Sequence, residues 1–205
     1  MAHFIDHLDV GLFRAVNGHS WPLLDRVMLL ASQPMVEMIV VAVFLVLVAR
    51  RNNKLLGWMA IAILVAVACS DSISSQLLKP WIGRLRPCYQ LSDVVLLQPC
   101  GGRFGMPSSH AANAFAIFGV MSFIWKGRWP SWTAFGVATV VSFSRVYLGK
   151  HFPGDVLVGA MVGWPIGLGV TYLVARPLGA AALRKFDGTI TEGNARKGGN
   201  DQSNG

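Results

Sequence analysis

VLVGAMVGWPIGLGVTYLVA, residues 156–175, runs for twenty residues without a charged side chain. About 20 apolar residues in a helix cross the hydrocarbon of a bilayer, where a chain must satisfy its own backbone hydrogen bonds. Working outward, residues 38–49 are as apolar but shorter, and extending them back to Pro34 takes in Glu37. Residues 55–69 continue through a polar stretch to Leu78, and 111–125 and 132–148 complete a set of five, with Arg145 near the end of the last. The expected fold class is all-α: an integral membrane helical bundle with about five transmembrane helices. Charged residues make up only 14% of the chain, against about 25% in soluble domains. That excludes a disordered protein and an ordinary soluble domain.

The N-terminal part reads differently. Phe4, Ile5, Leu8, Leu12 and Val16 recur at helical spacing with Asp6, Asp9 and Arg14 between them, the pattern of an amphipathic interfacial helix. Residues 23–31 carry Asp25 and Arg26 and form a second. No basic segment precedes an apolar core, so no cleavable signal peptide is expected. The organisation is thus an interfacial segment, 1–33, a membrane domain, 34–185, and a disordered cytoplasmic tail, 186–205, rich in Gly, Asn, Ser and charge. Gly159, Gly163 and Gly167 place a small residue at every fourth position of the last span, a stripe for close helix packing. Pro165 within it is expected to kink the helix.

The formal charge is +8, but the cations sit at the ends of apolar runs, which favours lipid and topology over nucleic acid. Arg50, Arg51, Lys54, Lys126, Arg128, Arg176, Arg184 and Lys185 fall on one side of the bundle, the cytoplasmic one by the positive-inside rule. Lys79, Arg84, Arg86, Arg103, Arg145 and Lys150 fall on the other side, where topology alone would not put them. An anionic ligand is the reason expected.

Three clusters meet at that outer end. They are KPWIGRLRP at 79–87, PSSH at 107–110, and SRVYLGKHFPGD at 144–155. Lys79, Arg86 and Arg145 supply three cations, and Arg can hold phosphate oxygens bidentately. Ser108 and Ser109 open a helix after Pro107, where backbone N–H groups are free for an anion. His151, with Asp155 four residues on, forms a base and its orienting carboxylate. His110 remains to protonate a leaving oxygen. Taken singly, each residue has a plain reading as a snorkelling cation, a solvated histidine or a helix-start acid. Their coincidence on one face describes phosphoryl transfer through a covalent histidine.

The chain resembles the type 2 phosphatidic acid phosphatase family, which shares its site with vanadium haloperoxidases and bacterial acid phosphatases. The family's motifs are Lys, six residues, Arg-Pro; Pro-Ser-Gly-His; and Ser-Arg, five residues, His, three residues, Asp. All three spacings are intact here, and the one departure is Ser109 for Gly. The resemblance implies His151 as nucleophile, Asp155 as its orienter and His110 as the acid. It implies Lys79, Arg86, Arg145 and the Ser108–Ser109 backbone as the phosphate clamp, with no metal and no other cofactor.

The function expected is hydrolysis of a lipid phosphate or diphosphate, undecaprenyl diphosphate first, at the outer face of a bacterial inner membrane. Phosphatidylglycerophosphate and lipid A phosphates are the alternatives, as is a lipid-linked phosphotransferase; an anion transporter would need a pathway or inverted repeats, and no repeat is found. The partners expected are a lipid phosphate and the membrane, not nucleic acid; nothing fixes an oligomeric state. Asp71, among Ser70, Ser72, Ser74, Ser75 and Gln76, is either functional or paired to a neighbouring helix. Cys88 and Cys100 bracket the outer loop and are either a disulfide or two free thiols. Cys69 reads as packing. His3 and His7 share a helix face, a weak metal signal.

Overall fold

The computed structural model describes residues 2–19, 21–49, 53–125 and 128–175. Nine α-helices follow in order among these residues: α1 (Ala2–Asn17), α2 (Pro22–Ala31), α3 (Pro34–Ala49), α4 (Asn53–Ser72), α5 (Lys79–Ile82), α6 (Pro87–Gln90), α7 (Ser109–Trp125), α8 (Trp129–Tyr147) and α9 (Pro153–Ala175). A π-helical turn, Ile73–Leu78, joins α4 to α5 without a break. No strand forms among the described residues; the one bridge pairs Leu85 with Phe104. The expected tail, 186–205, lies outside the described residues.

By length and composition, two helical stretches suffice to cross a membrane, Gly57–Ile82 and Pro153–Val174, and Ser109–Trp125 is a shorter apolar helix. The expected five are thus present as helices, but α3, at 16 residues, α7, at 17, and α8, interrupted by polar side chains, do not meet that test.

Helices α4, α7 and α9 form the centre. Met59, Ala62, Ile63 and Ala66 of α4 pack on Ala116, Val120, Met121 and Trp125 of α7, with Val170 and Val174 of α9 against them. The α7–α9 contact is made by backbones. A Cβ on Gly163 would overlap the Ala112 backbone, one on Gly167 the Ala116 carbonyl, and one on Gly159 would lie 2.6 Å from the Ser108 carbonyl. The glycine stripe is therefore a packing device, and it draws the start of α7 onto the start of α9. Helix α9 continues through Pro165.

Both N-terminal helices lie across the end of the bundle formed by the α8–α9 turn. Phe13 of α1 is buried against Val146 and Phe152, and Met28 of α2 against Tyr147 and Leu148. The amphipathic reading of α1 needs one refinement. Leu8 and Leu12 are exposed, at 51% and 58%, while Asp9 and Phe13 are buried, at 7% and 1%. Helix α1 thus has two working faces, a leucine face turned outward and an Asp9–Phe13–Asn17 face turned to the protein.

Candidate active site

The three sequence clusters come together at the end of the bundle that α1 covers. His151 lies in the turn between α8 and α9, and Asp155 is in the first turn of α9. Both are fully buried. His151 Nδ1 sits 3.5 Å from Asp155 Oδ2, and His151 Nε2 is 3.2 Å from Arg86 Nη1. A guanidinium can only donate, so Nε2 is the acceptor and the proton of the neutral ring is on Nδ1, toward Asp155. The ring therefore presents its lone pair to the cations. Burial, and then the charges of Arg86, Arg145 and Lys79, hold the His151 pKa well below the ordinary histidine value, so the ring is neutral; the Gly105 backbone opposes this weakly.

Arg86 is placed by backbone pairing. Its N–H donates to the Arg103 carbonyl at 3.2 Å, and the Gly105 N–H donates to the Arg84 carbonyl at 2.8 Å. Arg86 Nη1 also donates to the Lys150 carbonyl at 3.4 Å. Arg86 Nε is buried with no hydrogen-bond partner among the described residues, which leaves it donor capacity for anionic oxygens. A Cβ on Gly105 would come within 2.8 Å of Asp155 Oδ2 and 3.3 Å of Arg86 Cγ. Glycine here lets the loop close over the His151–Asp155 pair.

Lys79, at the end of the π turn, donates through Nζ to Ser109 Oγ. Ser109 thus takes part through its side chain as well as the backbone N–H expected from the motif. The Ser108 N–H, expected to be free, donates to the Asp155 carbonyl at 2.9 Å. Ser108 thereby ties α7 to α9 instead of offering that donor to an anion. His110 follows in the first turn of α7, within electrostatic reach of His151, Arg145 and Lys79. Buried Arg145 donates to Ser32 Oγ, at the end of α2.

Two further residues hold this arrangement: Asp9, read from sequence only as a polar position of α1, and Arg84, expected among the cations for an anionic ligand but paired here with two carboxylates of the protein. Arg84 Nη1 lies 3.0 Å from Asp155 Oδ1, and Arg84 Nη2 lies 2.6 Å from Asp9 Oδ2. Asp9 Oδ1 accepts from the Gly154 N–H at 2.7 Å, the Phe152 N–H donates to Asp155 Oδ2 at 3.0 Å, and the Arg84 guanidinium stacks 4.5 Å over the Phe152 ring. The second oxygen of the Asp155 carboxylate is thus fixed by a cation, and that cation by α1. The available signal was an acid on α1 at helical spacing to Phe13 and Asn17, which is costly to bury unpaired.

The loop between α6 and α7 is strapped down. Asn17 Nδ2 donates to the carbonyls of Val95 and Tyr147 at 2.8 and 2.9 Å, and Asn17 Oδ1 accepts from the Val95 N–H at 2.9 Å. Lys150 Nζ donates to Gln98 Oε1 at 2.8 Å. Burial, and then Arg145 and Arg86, lower the Lys150 pKa to about 8. Cys88 and Cys100 are joined as a disulfide, and Cys69 is free. No group of three or more metal-type side chains forms among the described residues.

Residues 55–177 match the PAP2 superfamily. Lipid A 4'-phosphatase of Porphyromonas gingivalis is 31% identical over 84% of this chain and 76% of that protein. Undecaprenyl-diphosphatase of Sulfolobus acidocaldarius is 25% identical over 87% of this chain and 82% of that protein. The crystal structure of Aquifex aeolicus LpxE superposes with a TM-score of 0.61 and 27% identity, covering 80% of this chain and 94% of that one. With the motifs, their convergence and these likenesses in agreement, the chain belongs to the PAP2 superfamily.

Proposed function

We propose that this protein is a membrane phosphatase that removes a phosphate from a glycolipid of the lipid A type through a phosphohistidine intermediate. The observation that carries the phosphatase reading is the orientation of the His151 ring, Nδ1 toward Asp155 and Nε2 toward Arg86. A buried neutral imidazole with its lone pair among cations is a nucleophile for an electron-rich phosphate, because the cations offset the charge of the attacked group. In the first step the Nε2–P bond forms and the P–O bond to the lipid breaks, with His110 donating its proton to the departing oxygen. The ring becomes cationic as it bonds, and Asp155, fixed by Arg84, stabilises that charge. In the second step water attacks phosphorus, His110 takes its proton, and the N–P bond breaks to release phosphate. Lys79, Arg86, Arg145 and the Ser109 N–H hold the phosphate throughout.

The substrate choice rests on likeness. Undecaprenyl diphosphate, the first expectation from sequence, has the weaker support: that relative is 25% identical, the lipid A 4'-phosphatase 31%. We place the site at the outer face of a bacterial inner membrane in a five-span bundle, since the sequence assigns the short-loop cations to the other side of the bundle. Purified protein in detergent, offered lipid A, undecaprenyl diphosphate and phosphatidylglycerophosphate, tests the reading. Release of inorganic phosphate from lipid A with the fastest kcat/KM is expected. Transfer of the phosphate to a second lipid, or release from no lipid, overturns it. Single cysteines at Asn53 and Gln98 on a cysteine-free background should label from opposite sides of intact cells; equal labelling overturns the sidedness.

A further inference from the structure

The polar groups of the site continue past Lys79. Ser109 Oγ, which holds Lys79, also lies 2.9 Å from Ser75 Oγ. Ser75 Oγ donates to Asp71 Oδ1 at 3.4 Å, and Asn113 Nδ2 donates to the same oxygen at 3.4 Å. A polar row therefore runs from the clamp along the seam of α4 and α7 to Asp71, roughly 10 Å deeper by the helical rise. Asp71 is exposed, and so is Leu64, two turns earlier on the same face. The row thus opens on a lipid-facing wall, where a carboxylate is costly and marks function by default.

The backbone is built around this row. The π turn Ile73–Leu78 starts two residues after Asp71 and ends at Lys79. Its i→i+5 bonds put more residues in a turn than the 3.6 of an α-helix, so positions 71, 75 and 79 stay closer to one line. The open capacity of the row is for accepting. A carboxylate has about four acceptor sites, of which Ser75 and Asn113 fill two, and Asn113 Oδ1 is buried with no hydrogen-bond partner among the described residues. On α7, His110 and Asn113 are three apart and share a face. The group that protonates the leaving oxygen is therefore one turn from the row, and the part of the lipid attached to that oxygen lies beside it.

We infer that Asp71, Ser75 and Asn113 form a specificity subsite that accepts hydrogen bonds from hydroxyl or amide N–H groups adjoining the scissile phosphate. Hydroxyl and amide N–H donors together belong to a phosphorylated amino sugar bearing acyl chains; phosphatidylglycerophosphate offers a hydroxyl alone. A polyprenyl phosphate has none beyond the phosphate. The inference rests on the lipid phosphatase reading and narrows its substrate class.

The test is kcat/KM of the full chain in detergent on two lipids, a phosphorylated N-acyl glucosamine lipid and a polyprenyl monophosphate. Wild type should favour the glucosamine lipid, and Asp71→Asn, which turns one of its two acceptor oxygens into a donor, should lower that preference at least tenfold, mainly through KM. Asn113→Ala should lower it in the same direction, and reads the same ratio if Asp71→Asn fails to accumulate. A preference unchanged within twofold, whether both rates fall together or neither falls, overturns the subsite and leaves the phosphatase standing. A wild type that favours the polyprenyl phosphate does the same. No phosphate from either lipid overturns the phosphatase reading, and the subsite with it.

Discussion

Midway along α7 and α9 the chain is held by backbones in contact, Gly163 on Ala112 and Gly167 on Ala116. One end of the same two helices is held by polar atoms of distant segments, Asp9 and Gly154, Arg84 and Asp155, Ser108 and Asp155. The first contact is local in geometry and tolerant of charge state. The second depends on every partner being present and on the Asp9, Arg84 and Asp155 side chains being ionised. The middle therefore sets whether the bundle forms, and the end sets whether it works.

The largest effect separates the two regions outright. His151→Ala should reduce turnover by roughly 10⁴-fold or more, as loss of an essential nucleophile does, with the midpoint of thermal unfolding in detergent little changed. Activity within tenfold of wild type would sink the covalent mechanism. Next comes the middle: Gly163→Leu forces a side chain into the Ala112 backbone, which cannot move aside. Overpacking of this kind costs about 1–3 kcal/mol or more, read as a fall in the thermal midpoint, with activity lost only as folded protein is lost.

Arg84→Gln breaks the polar end without touching phosphate. It leaves Asp9 and Asp155 buried without their cation, a loss of about 3–5 kcal/mol when one member of a buried pair goes. Its signature should be a lower kcat with little change in KM, partly restored in Arg84→Lys. A change in KM alone would argue that Arg84 binds substrate instead.

The smallest effect is in pH. Lys150 keeps its charge below about 8, so as pH rises through that value the free enzyme loses a cation beside Arg86 and Arg145. The kcat/KM profile, which reports the free enzyme, should fall on its alkaline side near pH 8, and Lys150→Arg should move that limb upward. An unmoved limb assigns it to another group. On the acid side the depressed His151 pKa acts on stability. The unfolded chain takes up a proton near the ordinary histidine value and the folded chain does not, so stability falls as pH drops through that window.

The site was legible because phosphoryl transfer demands particular side chains, and Lys79, Arg86, His110, Arg145, His151 and Asp155 sit at fixed distances along the chain from one another. Asp9 and Arg84 carry no such signature. Their roles come from a contact between segments 75 residues apart, which only folding makes. Hydropathy covered only half of α1. It marked Leu8 and Leu12, which are turned away from the protein as an interfacial face would be, and it carried no sign that Asp9, Phe13 and Asn17 face the protein. The Ser108 N–H was assigned to the anion because its partner, the Asp155 carbonyl, lies on another helix. The span count has the same root: α8 passes Ser142, Ser144 and Arg145 to the protein interior, and a hydropathy test counts them against it.

Asp9 has a consequence in time. Its carboxylate is synthesised among the first residues, and its partners, Arg84 and the Gly154 N–H, come 75 and 145 residues later. At translation rates of about 5–20 residues per second, α1 waits at the membrane surface for many seconds before the last span exists. On the proposed mechanism, a chain with its helices formed but α1 undocked holds His151 and Asp155 without their brace, so its turnover is expected to rise only when the first helix folds onto the start of the last.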